Sequence, residues 1–275
     1  MSSKFSVLMP IYIYEKDDEL RVAIESIINQ TLSPNEILII ADKNTPQNTL
    51  NILSEYKEKY PEIFNIIKLT EDATLGKALQ IGVEKAKYSL IARMDADDIA
   101  RNDRFEIQMK FLKENPDIDI VGSWITEFDG VPENIYAKRE LPIIHENIYK
   151  FCKFRSPINH MTVMYRKKSV IDAGNYSDRK RLEDYQLWAK MLFKGYKFAN
   201  IPDFLVNVRA GSDLMKRRNN IKEYFQYEYT LFKEFYNMGF INFKEYYKAI
   251  ISKFILRILP VPCMTFIYDK FLRVK

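Results

Sequence analysis

Histidine and cysteine are scarce in this chain of 275 residues, which has two of each: His145, His160, Cys152 and Cys263. Two histidines cannot build a histidine-rich metal centre. The two cysteines lie far apart and form neither a disulfide framework nor a CxxC zinc motif, which points to a reducing compartment. Eight glycines and eleven prolines exclude fibrous and low-complexity classes. No uncharged apolar run approaches the roughly 18 residues that an ordinary transmembrane helix needs. The opening MSSKFSVLMPIY lacks the apolar core of a signal peptide. What is present is 47% hydrophobic and 14% aromatic residues, enough for a sizeable core in one large domain or two small ones. The net charge of +5 is mildly basic and suits phosphate ligands or an anionic membrane surface.

The most telling stretch is IARMDADDI, Ile91 to Ile99. An apolar run from Tyr88 to Met94 reads as a short buried strand. It ends in three carboxylates, Asp95, Asp97 and Asp98. Like charges this close repel one another and resist burial, so something cationic should offset them. Ligands of α/β proteins sit at the carboxyl ends of strands. A hard divalent cation, Mg²⁺ or Mn²⁺, with a phosphate-bearing substrate accounts for the cluster. The plainer alternative is an acidic turn into a helix that starts near Asn102.

The first half alternates strand and helix. FSVLM (5–9) reads as a strand stopped by Pro10. A helix with Leu20, Ala23, Ile24, Ile27 and Ile28 inward follows, capped by Asp17 or Asp18. EILIIA (36–41) is a second strand, and Thr45-Pro46 reads as N-cap and first turn of the next helix. FNIIKL (64–69) is a third strand, and a helix over 76–87 leads into the DADD strand. This βαβαβαβ order implies a parallel sheet with right-handed crossovers, whose strand ends at Pro10, Asp42, Leu69 and Asp95 share one edge. In the second half, helices are expected over 102–115, 145–154 and 183–194, and strands at DIDIVGSWI, MTVMY, FANI and FLVNV. Residues 125–145 read as loop over the site. From about Lys216 the pattern is helical, aromatic and charged.

Four stretches in order, FSVLMPIY, SIINQTLSPNEILIIAD, LGKALQIGVEKAKYSLIARMDADDI and RLEDYQLWAKML, carry a family resemblance. From Phe5 to about Arg218 the chain resembles family-two glycosyltransferases of the GT-A fold, most of all the bacterial members that build capsular and exopolysaccharides of the amylovoran type. The resemblance implies an α/β fold: a Rossmann-like, mostly parallel central sheet flanked by helices. It implies a catalytic domain over 1–215, with a nucleotide-binding half (1–100) and an acceptor-binding half (101–215). Residues 216–275 form a helical C-terminal extension.

The resemblance also assigns roles. Pro10, Ile11 and Tyr12 line the base pocket. Tyr12 can stack on a flat base, or be an ordinary core tyrosine. Asp42 contacts the base, or merely closes an Asx turn. Gly76 and Lys77 lie near the nucleotide, with Lys77 beside phosphate or simply solvated. Arg93, a charge inside a buried strand, pairs with a carboxylate such as Asp42 or with the ligand. The metal falls to Asp97 or Asp98, with Asp95 nearer the sugar or ribose hydroxyls. Asp184 is the catalytic base and Glu183 supports it or touches the sugar. Alternatively, both acids merely favour a helix N-terminus. Asn159 and His160 fall near the acceptor side. Arg209, Lys216, Arg217 and Arg218 neutralise the leaving diphosphate, hold a lid, or are solvated; Gly211 replaces the histidine of many relatives.

The expected activity is inverting, metal-dependent hexosyl transfer from a nucleotide-diphosphate sugar, a UDP-sugar by preference, to a saccharide or lipid-linked acceptor of bacterial surface polysaccharide. A nucleotidyltransferase would carry a glycine-rich basic loop after the first strand, where PIYIYEKDD is acidic and lacks glycine. The remaining alternative is a non-catalytic, membrane-associated nucleotide-sugar-binding or assembly protein on the same fold. The tail after Ile241 mixes long apolar residues with Lys248, Lys253, Arg257, Lys270, Arg273 and Lys275, and is split by Pro260 and Pro262. It suits a helix lying on the inner face of the cell membrane, or one packed on the catalytic domain or a second subunit. A cytoplasmic, peripheral protein is expected, of open oligomeric state with a homodimer as one option. No nucleic acid partner is expected.

Overall fold

The computed structural model describes residues 4–12, 16–209 and 221–259. Four parallel strands open the chain: β1 (Phe5–Ile11), β2 (Glu36–Ala41), β3 (Phe64–Lys68) and β4 (Leu90–Arg93). The helices α1 (Asp17–Ile28), α2 (Gln47–Lys59) and α3 (Leu75–Lys85) join them. There follow β5 (Ile99–Ala100), α4 (Arg104–Glu114), β6 (Ile120–Phe128), β7 (Ile135–Arg139), α5 (His145–Cys152), β8 (Met164–Arg166), α6 (Lys167–Asp172), α7 (Glu183–Phe193) and β9 (Phe198–Arg209). Two helices close the described chain, α8 (Ile221–Asn237) and α9 (Phe243–Ile258).

The nine strands form one sheet in the order β3-β2-β1-β4-β8-β6-β9-β5, with β7 on β6. Side chains alternate across it. Phe5, Val7, Met9 and Ile11 point into a core with α1, α2 and α4, while Leu8, Leu38, Ile40 and Ile91 point into a second core with α3, α7 and α8. Helices therefore cover both faces, as a mostly parallel sheet requires. Among the described residues no helix is long and apolar enough to cross a membrane.

Several elements differ from the sequence expectations for physical reasons. β1 runs through Pro10 rather than stopping before it. The Leu8 carbonyl faces β4, accepting from Met94 N–H, whereas the Ile11 carbonyl faces β2, accepting from Asp42 N–H. By alternation Pro10 turns its missing N–H toward β4, whose last pair with β1 is Leu8 with Arg93. No ladder bond is lost there. The stretch expected as loop over 125–145 contains the β6–β7 hairpin. FANI and FLVNV are one strand, β9, that continues past Pro202 by slipping register against Ser123, Trp124 and Ile125. Part of MTVMY is a 3₁₀ turn, His160–Thr162. α1 starts after Lys16 and α2 after Pro46, so Asp17, Asp18 and Thr45 do not cap by side chain.

Candidate active site

The carboxyl ends of β1, β2 and β4 and the N-termini of α3 and α7 converge. The acidic triplet lies on the turn between β4, in the middle of the sheet, and β5, which pairs with β9 at the far edge. One oxygen from each of Asp95, Asp97 and Asp98 falls within 4.8 Å of the others. Asp95 grips Arg93 with both oxygens at 2.5 Å, from a guanidinium side chain only 2% exposed. Arg93 thus pairs two residues along its own chain, not with Asp42. Asp98 is buried and accepts from the backbone N–H of Arg209 at 2.9 Å. Burial, then the Asp95 charge, pushes the Asp97 carboxyl up to about 6. Burial, Asp95 and Asp97 push Asp98 well above the usual range. An all-oxygen, crowded donor set of this kind fits a hard divalent cation.

The second acidic group, Glu183 and Asp184, opens α7. The residue before it, Leu182, sits in the left-handed region (φ 62°, ψ 26°), a conformation that a non-glycine residue adopts only when its surroundings impose it. Glu183 is buried at 6% exposure, and burial with the Asp184 charge pushes it up to about 7. Asp184 is half-buried; burial raises it, and the Tyr185 backbone N–H and Arg93 act against that rise. The α7 N-terminus thus supplies backbone donors to its own acids. Arg93 acts on Asp97, Asp98, Glu183 and Asp184 alike, so one buried cation serves both groups.

The nucleotide-half residues converge here too. The Tyr12 hydroxyl is buried with no hydrogen-bond partner. Burial, Glu183 and Asp42 together raise it above the ordinary phenol range. Asp42 is buried and closes an Asx turn, accepting from Asn44 N–H at 2.8 Å. Gly76, in the first turn of α3, has no room for a side chain. A Cβ there would stand 2.0 Å from the Ser177 carbonyl oxygen and 3.2 Å from Glu183 Cβ. Glycine thus lets α3 touch the loop before α7. The backbone N–H of Lys77 is capped by Thr74 Oγ1 at 3.1 Å, and its ammonium rests on Gln80 at 3.0 Å rather than on a carboxylate.

Residues 6–174 match the family Glycosyl transferase family 2. The chain belongs to that family. It is 35% identical over 266 residues to the amylovoran biosynthesis glycosyltransferase AmsE of Erwinia amylovora, covering 97% of this chain and 98% of the relative. It is 34% identical over 280 residues to the UDP-Gal:alpha-D-GlcNAc-diphosphoundecaprenol beta-1,3-galactosyltransferase of Escherichia coli, covering 98% and 97%. Among solved structures, the mannosyltransferase PcManGT of Pyrobaculum calidifontis, in complex with GDP-Man and Mn²⁺, superposes with a TM-score of 0.66 at 14% identity. The match covers 92% of this chain and 69% of that one, and the likeness is one of fold. The expected glycosyltransferase family and its GT-A architecture therefore hold.

Within this family-two glycosyltransferase, the remaining expected residues make the following contacts. Arg209 is a strut for the triplet. Its guanidinium lies on the Phe128 ring at 4.7 Å and bonds the carbonyls of Gly130 (2.8 Å) and Asp97 (3.3 Å), with Glu19 at 3.5 Å. Asn159 is buried and donates to the Ser123 carbonyl at 2.8 Å. His160 bonds Tyr176 Oη at 2.9 Å, packs on Trp188, and is held neutral by burial. Gly211, Lys216, Arg217 and Arg218 lie outside the described residues, as do Pro260, Pro262, Cys263, Lys270, Arg273 and Lys275.

One residue of the site was missed. Arg104 is fully buried and bonds Gln108 Oε1 (3.0 Å), the Arg93 carbonyl (2.8 Å) and Met94 Sδ (3.0 Å). Burial, with Arg93 nearby, draws it down to about 9. It adds a second cation beneath the triplet. The spacing of Arg104 and Gln108 on one helix face was the available signal.

Proposed function

We propose that this glycosyltransferase is inverting and metal-dependent, and transfers a sugar from UDP to a hydroxyl of a lipid-linked saccharide in bacterial surface polysaccharide assembly. The observation that carries the reading is the pairing of two acidic groups around one buried guanidinium. The triplet provides hard oxygen donors, and the pair on α7 provides a carboxylate within the same field. Asp97 and Asp98 would hold Mn²⁺ or Mg²⁺. When bound, such a cation neutralises charge on the departing diphosphate. Asp95 and Arg93 face the ribose or sugar hydroxyls, Tyr12 stacks on the base and Asp42 bonds it, and Gly76 and Lys77 lie along the phosphates. Asp184, the more accessible acid of its pair, accepts the proton of the acceptor hydroxyl as that oxygen attacks the anomeric carbon. The bond to the diphosphate oxygen breaks on the opposite face and its electron pair leaves with UDP. Glu183 supports Asp184 from below. The Escherichia coli relative, named for UDP-Gal and a diphosphoundecaprenol acceptor, favours UDP and a lipid-linked acceptor.

Calorimetry with UDP tests the metal. UDP should bind at least tenfold more tightly with Mn²⁺ than with EDTA, and Asp97→Ala with Asp98→Ala should remove the difference. Equal affinity in both conditions sinks the reading. Metal-dependent UDP binding with no turnover of any UDP-sugar would favour a non-catalytic binding protein.

We read residues 1–215 as the catalytic domain and 216–275 as its extension, and place the protein at the cytoplasmic face of the membrane. On α9, Phe243, Tyr247, Ile251, Phe254 and Ile255 are all exposed and follow one helix face, beside exposed Lys244 and Lys248. Such a stripe suits an anionic lipid surface. Sedimentation with vesicles of phosphatidylglycerol and phosphatidylethanolamine should retain the wild type. It should lose most of a Phe243→Ser, Tyr247→Ser, Phe254→Ser variant, and high salt should weaken retention. Equal retention of both proteins rules the surface out.

A further inference from the structure

The family match ends at residue 174, before the acids that the preceding section reads as catalytic. The loop from Asn175 to Leu182 that presents them is left-handed at both ends, which asparagine tolerates and which strains the backbone at Leu182. The angles are φ 58° at Asn175 and φ 62° at Leu182. Strain of that kind persists only where its surroundings over-determine it. Two anchors come from the nucleotide half: Thr74 Oγ1 donates to Asp178 at 2.6 Å, and Gly76 lies against the Ser177 carbonyl.

The other anchors come from α8, in the C-terminal extension. Glu234 accepts on one oxygen from Arg179 at 3.2 Å and from the side-chain amide of Gln186. That bond turns the Gln186 amide oxygen toward Ser177, whose hydroxyl donates to it. Gln186 and Tyr185 are the two residues that follow Glu183 and Asp184 in α7. Tyr185 packs its ring between Phe232 and Phe235 of α8, at 6.1 and 5.1 Å. Arg179 also counters the Glu183 charge. A chain of contacts therefore runs from Glu234 through Gln186 and Ser177 to Gly76.

We propose that Glu234 is a positioning residue, a clamp from the C-terminal extension that fixes the loop and first turn bearing Glu183 and Asp184. The extension is thereby part of the active site's construction. This rests on the reading of Glu183 and Asp184 as the catalytic pair.

The test uses the full chain and the UDP-sugar that wild type turns over most rapidly. Glu234→Ala should lower kcat about tenfold or more, because small misplacements of a reacting group cost that much. Its affinity for UDP with Mn²⁺ should stay within about twofold, because the loss belongs to the transition state. Glu234→Gln, whose amide oxygen still accepts from Gln186, should restore most of kcat. Hydrogen exchange should quicken over 175–186 in Glu234→Ala and stay unchanged over 4–12. The comparison variant is Glu228→Gln, which takes the charge from the α8–α9 pair with Arg257 (3.0 Å), a pair outside the Glu234–Gln186–Ser177 contacts, and should leave kcat near wild type. The clamp is overturned if Glu234→Ala keeps wild-type kcat, if it loses no more than Glu228→Gln, or if Glu234→Gln is equally impaired. Asp184→Asn separates the two claims. If it transfers normally, the catalytic reading falls; if it is dead while Glu234→Ala is fully active, only the clamp falls.

Discussion

Asp95, Asp97 and Asp98 at the end of β4, and Glu183 and Asp184 at the start of α7, both hold acids largely out of water, by different means. The triplet carries its counter-charge in its own strand: Arg93 lies two residues before Asp95 and is gripped by both of its oxygens. No ion pair to Glu183 or Asp184 appears among the described contacts. They rest on backbone N–H groups at a helix start and on the fields of Arg93 and Arg179. The first arrangement is local and electrostatically closed on one side. The second is held by tertiary contacts. Both groups hold carboxylates that burial pushes up, Asp97 to about 6 and Glu183 to about 7, so what separates them is the ion pair that Asp95 makes with Arg93.

The largest expected effect breaks the comparison at catalysis. Asp184→Asn should lower kcat by on the order of 10²- to 10⁴-fold, the usual range for removing a general base. Donor affinity should barely change, because the lost interaction belongs to the transition state. Steady-state transfer measured beside UDP calorimetry checks both halves. Retention of more than roughly a third of kcat would exclude Asp184 as base, and Glu183→Gln becomes the next candidate.

The next effect breaks it at stability. Asp95→Asn removes the one ion-pair partner that grips Arg93 and leaves the buried guanidinium only the longer-range fields of its other acidic neighbours. Breaking such a pair costs about 3–5 kcal/mol, with the lower end expected because the Asp95 side chain is 29% exposed. Denaturant melts at neutral pH should show the loss. A variant as stable as wild type would mean that Arg93 is satisfied by its other acidic neighbours.

What could be read from the sequence follows the same division. β1 to β4 and the helices between them are local patterns with their own periodicities, and they were legible with errors of a few residues at the ends. The triplet was legible because its acids are adjacent in sequence. The role proposed for Glu183–Asp184 rests on resemblance, since two acids at a helix start look alike whether or not they do chemistry. The Arg93 partner was misjudged because a strand-end turn can fold Asp95 back onto its own strand, which spacing does not reveal. FANI and FLVNV read as two strands where a register slip keeps one. The links from Glu234 to Gln186 and from Gly76 to Ser177 join elements 48 and 101 residues apart, counting from the residue numbers, and carry no local signature.

The smallest effect sharpens the comparison by reversing its sign. Glu183→Gln is the same kind of change as Asp95→Asn, a carboxylate made neutral at constant shape, but at a site where charge is unwelcome. The Glu183 pKa rises from 4.5 in the unfolded chain to about 7 in the fold. Between those values the folded state holds more protons than the unfolded one, so stability from this group falls as pH rises through the window and stays low above it. Glutamine removes the titration. At pH 4 the two proteins should melt nearly alike, because below 4.5 Glu183 is largely protonated in both the folded and the unfolded chain. At pH 8 Glu183→Gln should be the more stable, by on the order of 1–3 kcal/mol, with Asp184 absorbing part of the gain. Urea melts of both proteins across this range measure the difference directly. A constant offset at all pH values, or a variant less stable at pH 8, would mean that Glu183 is ionised and paired like Asp95. The two acidic groups would then be alike, and the argument for a proton-accepting pair on α7 would lose its electrostatic basis.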